Sequence, residues 1–184
     1  MRLSTHLRPV LLFALVATHF PLAAQQEDVQ RGAFAMNVFH SICLLGKGDA
    51  TRPAHYQEYR LRELLPEAQA QFLGGRPGKV WTAQVPFGNF AVVITEDREC
   101  SVFVRRITQQ VAVEQFEFTL RNFSQKGTLK EEPSVSTPLP HGQMNTRSFS
   151  LVSEFDASLY VAVVSTSESA QAPLQAIFTT RVVR

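Results

Sequence analysis

Three short runs, Val80-Trp81-Thr82-Ala83-Gln84-Val85, Phe90-Ala91-Val92-Val93-Ile94-Thr95 and Cys100-Ser101-Val102-Phe103-Val104-Arg105, decide the fold. They are rich in β-branched and aromatic residues. They are separated by the turn formers Pro86-Phe87-Gly88-Asn89 and by the charged stretch Glu96 to Glu99. Runs of that length with such separators predict an antiparallel meander.

On the N-terminal side the period changes. From Gln30 to Leu45, Phe34, Val38, Ile42 and Leu45 recur at helical spacing, and Met36, Phe39 and Cys43 widen the stripe into a packed amphipathic helix. Gly46 and Gly48 end it. A second helix is expected from Pro53 through Leu64, and a short third one from Pro66 to Leu73, stopped by Gly74-Gly75.

On the C-terminal side, Thr108 can cap a helix running to about Asn122, with Ala112, Phe116, Leu120 and Phe123 along one face. Gly127 to Glu132, Thr146 to Phe155, Ala157 to Thr166 and Leu174 to Val183 then read as strands, while the Pro-, Ser- and Thr-rich segment Pro133 to Asn145 reads as a loop. The expectation is an α+β domain. It has an antiparallel sheet of about six to seven strands, N-terminal helices and one central helix packed on one face, and the other face left for water or a partner.

Ahead of this domain, Arg2 and Arg8 precede an apolar run from Val10 to Phe20 and the small pair Ala23-Ala24. That is the pattern of a secretory signal, too short to span a bilayer, so residues 1–24 are expected to be removed and residues 25–184 to form a single domain. Cleavage takes away two arginines and no acid, which moves the net charge from +2 to zero. A neutral domain without a basic stripe gives no electrostatic attraction to nucleic acid. Nor does any later stretch predict stable membrane insertion. The expected location is periplasmic or secreted, where the two cysteines, Cys43 and Cys100, have one possible pairing and an oxidising environment to form it.

Candidate sites were weighed against plainer roles. His40, His55 and His141 lie on distant segments without the close-spaced pair that zinc usually needs, so no metal or cofactor is expected. Gly74-Gly75-Arg76-Pro77-Gly78-Lys79 lacks the register of a phosphate-cradling loop, since Leu73 and Val80 stand where glycine and a hydroxyl residue are required. Arg76 and Lys79 remain possible contacts for a ligand. Trp81 opens the first strand and serves either the core or a ligand pocket. His141 and Met144, in the long loop, are candidates for partner contact. No nucleophile elbow is present, and Glu96, Asp97, Glu99 and Glu131-Glu132 suit exposed turns and strand ends better than paired catalytic carboxylates.

Phe39, Ser41 and Cys43 in the first helix, the segment Phe72-Leu73-Gly74-Gly75-Arg76-Pro77-Gly78-Lys79-Val80-Trp81, and Cys100-Ser101-Val102-Phe103-Val104-Arg105-Arg106 resemble a family of small bacterial periplasmic proteins and lipoproteins without an assigned activity. The resemblance is strongest over residues 34–106, and Val164-Ser165-Thr166-Ser167 is similar in kind. It implies the cysteine pair but no catalytic residue. Gln25 stands where a lipoprotein would carry its lipid-bearing cysteine, so membrane anchoring is not implied. The functional expectation is a non-enzymatic binding or accessory protein of the cell envelope that engages an envelope protein. The alternative is a small-ligand or lipid-binding domain with a cavity between helices and sheet, and a hydrolase without a recognisable motif ranks third.

Overall fold

The structure is a computed structural model that describes residues 22–140, 142–169 and 171–183. The signal reading of residues 1–21 and the candidate His141 lie outside the described residues. Helix α1 (Leu22–Val38) continues into a π-helical segment (Phe39–Leu44), and the remaining helices are α2 (Pro66–Leu73) and α3 (Gln109–Phe123). The strands are β1 (Arg62–Glu63), β2 (Gly78–Val85), β3 (Gly88–Thr95), β4 (Cys100–Val104), β5 (Lys130–Glu131), β6 (Val135–Leu139), β7 (Gly142–Val152), β8 (Leu159–Ser167) and β9 (Ala176–Val182). All belong to one antiparallel sheet of order β1-β2-β3-β4-β9-β8-β7-β5, with β6 also paired to β7. The α+β class and the meander are as expected, with nine strands rather than six to seven.

Strand register sorts the side chains onto two faces. Trp81, Val92, Val102, Phe178 and Val164 lie side by side across β2, β3, β4, β9 and β8, and the row ends at Arg147 of β7. This inner face carries α1, its π-helical end and α3, and its core includes Phe39, Ile42, Phe116, Leu120, Phe149 and Tyr160. Phe116 stacks on Phe178 at 5.5 Å between ring centroids and meets Phe149 edge-on at 5.8 Å, so aromatic area fills the space between the layers. Gly32 permits the close approach of α1 to α3, because a Cβ there would come within 2.9 Å of Val111.

Two constraints hold α1 in place. Cys43 and Cys100 form a disulfide with Cα atoms 5.2 Å apart, both side chains buried, joining the π-helical end to the first residue of β4. In addition, all three tyrosines of the chain donate their hydroxyls to carbonyls of this segment: Tyr59 to Asn37 (3.2 Å), Tyr56 to Ser41 (3.3 Å) and Tyr160 to Leu44 (2.9 Å). These phenols add hydrogen bonds to carbonyls near the end of the helix and in its widened turn, the Leu44 carbonyl also accepting from the Lys47 N–H (3.3 Å). The wider turn also explains a departure from the expected stripe. Leu44, not Leu45, is the last apolar residue on the buried side.

Three other expectations are corrected. The helix expected over Pro53 to Leu64 is instead two 3₁₀ turns (Arg52–His55 and Gln57–Tyr59) followed by β1, because Arg60 adopts a left-handed φ of 52° and Leu64 donates to the Val80 carbonyl at the sheet edge. Tertiary pairing and the two tyrosine hydroxyls outweigh local helix propensity here. The loop expected over Pro133 to Asn145 is a β-hairpin arm, β6 with the start of β7. Residues 132–134 face only Arg147 and Ser148 between the pairs Glu131–Phe149 and Val135–Thr146, so a bulge joins β5 to β6, with Pro133 inside it and Pro138 and Pro140 beyond. Finally, α2 does not join the other helices. It packs on the opposite, outer face, against Val80, Ala91, Val93 and Phe103.

Replacing both cysteines by alanine is expected to lower unfolding stability by about 4 kcal/mol, from the loop of 57 residues that the bond closes. Urea unfolding of the oxidised protein and the Cys43→Ala/Cys100→Ala variant measures it. A second expectation concerns pH. Lys47, just beyond the π-helical end, ion-pairs with Asp156 in the β7–β8 turn and holds that carboxyl down at about 2. A pKa depressed in the folded state contributes stability above the unfolded value, near 3.8, that is lost as pH falls toward 2. Both groups are about one-third exposed, so the difference between wild type and Asp156→Asn should stay below about 1 kcal/mol at pH 6, shrink as pH falls through 2 and vanish only below it, in parallel unfolding curves.

Candidate functional site

The outer face is covered over only part of its width. Pro66 occupies the first turn of α2, and Gly74, with φ of 56°, ends the helix after two turns. Gln69 fixes its position. Its buried side-chain amide accepts from the Val80 N–H (3.1 Å) and donates to the Leu64 carbonyl (2.6 Å), standing in for a missing peptide between β1 and β2. Phe72 then meets Phe103 edge-on at 5.9 Å between centroids.

Beyond α2, the strands β9, β8 and β7 present Ile177, Thr179, Val161, Val163, Ser165, Thr146 and Ser148, all half-exposed. Hydroxyl pairs tie neighbouring strands, Ser101 with Thr179 at 2.8 Å and Thr146 with Ser165 at 2.9 Å. The face is largely uncharged, with Arg181 exposed on it opposite Val161, and is not covered by any helix described.

Between the covered and bare halves runs a groove of about 700 Å³. Thr82, Ala91 and Phe103 form its floor and Phe72 one wall. The other wall is Pro173-Leu174, held upright by Gln175. Gln175 is buried, its side-chain amide donates to the carbonyls of Ala172 (2.7 Å) and Ser169 (3.3 Å), and its oxygen accepts from the Arg106 N–H (2.5 Å). Gln84, Asn89 and Arg105 line the groove's polar margin. Arg105 is the one charged residue of the lining, and its guanidinium makes no hydrogen bond or ion pair among the described residues. The same three residues also line a smaller depression of about 290 Å³ at the β2–β3 turn, which adds Arg31, Arg106 and Glu27.

A third depression, of about 890 Å³, lies between the first turns of α1 and α3. Its polar groups are largely spent on the fold. The buried Asp28 carboxylate accepts from the Thr108 N–H and hydroxyl at the start of α3, where negative charge is favoured. Arg31 donates to the Phe87 and Arg106 carbonyls and pairs with Glu27.

The residues singled out from the sequence do not gather in one place. Trp81 is a core residue on the inner face, 5% exposed. Arg76 pairs with Glu99 at 2.7 Å and Lys79 with Glu63 at 3.1 Å, flanking a helix-to-strand turn. Met144 is half-buried on β7, five ladders from β2 and so about 24 Å away. His40 is half-buried edge-on to Phe123 (6.0 Å), and burial pushes its pKa below the ordinary imidazole value. Among the described residues no group of three or more His, Cys, Asp or Glu side chains is arranged to hold a metal ion. The acids judged to be ordinary are engaged locally: Asp97 accepts from the Thr95 hydroxyl, which lowers its pKa, and Glu131 pairs with Arg147.

Arg105 and the groove escaped the sequence reading. The strand alternation that puts Phe103 and Arg105 on one face was visible, but the placement of α2 on that face was not.

Comparison with known proteins returns no match: no family model, no curated protein and no solved structure is significantly similar to the chain.

Gln175→Ala would remove the anchor of the groove wall and leave the Arg106 N–H and two carbonyls unpaired, at a cost of about 1–3 kcal/mol. Hydrogen exchange should accelerate across residues 168–175 and at Arg106 while the inner core stays protected.

Proposed function

We propose that the protein is an exported, non-enzymatic binding or accessory domain of the bacterial cell envelope, and that it engages an envelope protein through the outer face of its sheet. The observation that carries this reading is the contrast between the faces. The inner one is filled by two helices and their aromatic residues, whereas the outer one is half covered and otherwise presents a field of valine, serine and threonine. Weakly charged surfaces with an apolar component suit docking of another macromolecule better than they suit chemistry.

Export is supported by the signal pattern of residues 1–24 and by the buried disulfide, which forms and persists in an oxidising compartment. Among the described residues no helix is long and apolar enough to cross a membrane. The resemblance to periplasmic proteins with a cysteine pair points the same way.

The reading as a small-ligand domain needs relocation. The space between helices and sheet, where a cavity was expected, holds Phe39, Phe116, Phe149 and Phe178, so a ligand would be received in the outer groove instead.

Two measurements test the proposal. Protein recovered from the periplasm should begin at Gln25 and contain no alkylatable thiol. A photo-crosslinking residue at Val163 on the outer face should trap a stoichiometric envelope protein that the same residue at Glu114, exposed on α3, does not. Equal yields at both positions, or cytosolic protein with an intact N-terminus, would refute it.

A further inference from the structure

We infer that the outer groove is a binding site for a single-chain amphiphile with a carboxylate head, its tail lying on Phe103 and Ala91 beside Phe72 and its head at Arg105. This rests on the outer face being the binding surface, but it can fail while that reading stands.

Three observations carry it. The groove lining is apolar except for the Thr82 hydroxyl on its floor and, at its edges, the amides of Gln71, Gln84 and Asn89 and one cation, and it contains no carboxylate, histidine, serine or cysteine. A half-open, largely apolar trough with one positive charge at its margin is complementary to an apolar chain ending in one negative charge, and its volume lies in the range of small-molecule sites. Second, Arg105 is free to act. Among the described residues Arg105 has no acidic partner, a state it shares with other surface arginines such as Arg62 and Arg181, but it is the one that lines the groove. A guanidinium presents two parallel N–H groups that match a carboxylate.

Third, Arg105 stands where two depressions meet. The larger is the apolar trough, and the smaller, polar one adds the Arg106 side chain and the Arg31–Glu27 ion pair and shares Gln84 and Asn89, whose amides can complete the hydration shell or hydrogen bonding of a head group. That adjacency orients the ligand: tail toward α2, head toward the β2–β3 turn. The groove crosses β2, β3 and β4, a width of about 10 Å between outer strand axes. The site is built by the two buried glutamines described above. Gln69 sets the height of α2 over the floor and Gln175 holds the facing wall.

The test uses the oxidised protein with sodium decanoate below its micelle concentration, alongside decan-1-ol and sodium acetate. Calorimetric titration should show saturable, one-to-one binding of decanoate, with decanol at least about tenfold weaker and acetate not binding, since a charge-assisted pair at the groove margin separates the first two. Arg105→Gln, an exposed change, should weaken decanoate about tenfold and leave decanol unaltered. Thr82→Phe, which occupies the floor, should weaken both, and amide shifts on binding should centre on Thr82, Ala91, Phe103 and Arg105. The inference is overturned if decanoate does not saturate, if Arg105→Gln binds it as wild type does, or if the shifts map to another surface. A crosslinked protein partner at Val163 without decanoate binding would retain the outer face as the binding surface and discard the amphiphile.

Discussion

The junction between the π-helical end of α1 and strand β4 is the constraint from which the rest of the structure follows. A covalent bond sets the distance between Cys43 and Cys100, and hydroxyls from Tyr56, Tyr59 and Tyr160, on two other parts of the chain, add hydrogen bonds to the same helical turns. With that end fixed, the N-terminal half of α1 has one place to lie. It crosses α3 at Gly32 and brings Asp28 to the start of α3 and Arg31 to the turns after β2 and β4. A single helix therefore organises the inner layer and two loops, the β2–β3 turn and the β4–α3 connection.

Buried polar side chains perform a related task on the outer side. Gln69 and Gln175 behave as inserted peptide groups, each accepting from one backbone N–H and donating to backbone carbonyls. Because an unpaired buried amide is costly, such a residue holds its surroundings to one geometry. Both sides of the outer groove are positioned this way. The outer face is walled on one side and plain on the other, with the hydroxyl pairs of Ser101–Thr179 and Thr146–Ser165 tying its strands together.

Much of this was legible from local pattern. The meander, α2 with its Pro66 start and Gly74 stop, and α3 with its Thr108 cap and its stripe of Ala112, Phe116, Leu120 and Phe123 all appear where periodicity and capping place them. What local pattern missed depends on contacts distant in sequence. Nothing near Arg60 announces that Leu64 will bond to Val80, and the prolines of residues 133–140 suggest a loop until a long β7 is available to pair with them. Likewise, an eight-residue helix carries too little pattern to say which side of a sheet it will cover. The groove exists only because of that choice, so Arg105 could not be recognised before the fold was known.

The prolines at 133, 138 and 140 have a further meaning for a protein built on one large sheet. Pro133 and Pro138 lack the N–H that a visiting strand would need, and the bulge around Pro133 interrupts the rim between β5 and β6, so this long rim offers an incomplete ladder to any neighbour. The opposite rim is only two residues long at β1 and is plugged next to it by a glutamine. A molecule guarded at both rims resists the strand-by-strand stacking that seeds fibrils. It can therefore display a valine-rich sheet to its surroundings at high local concentration without polymerising through it.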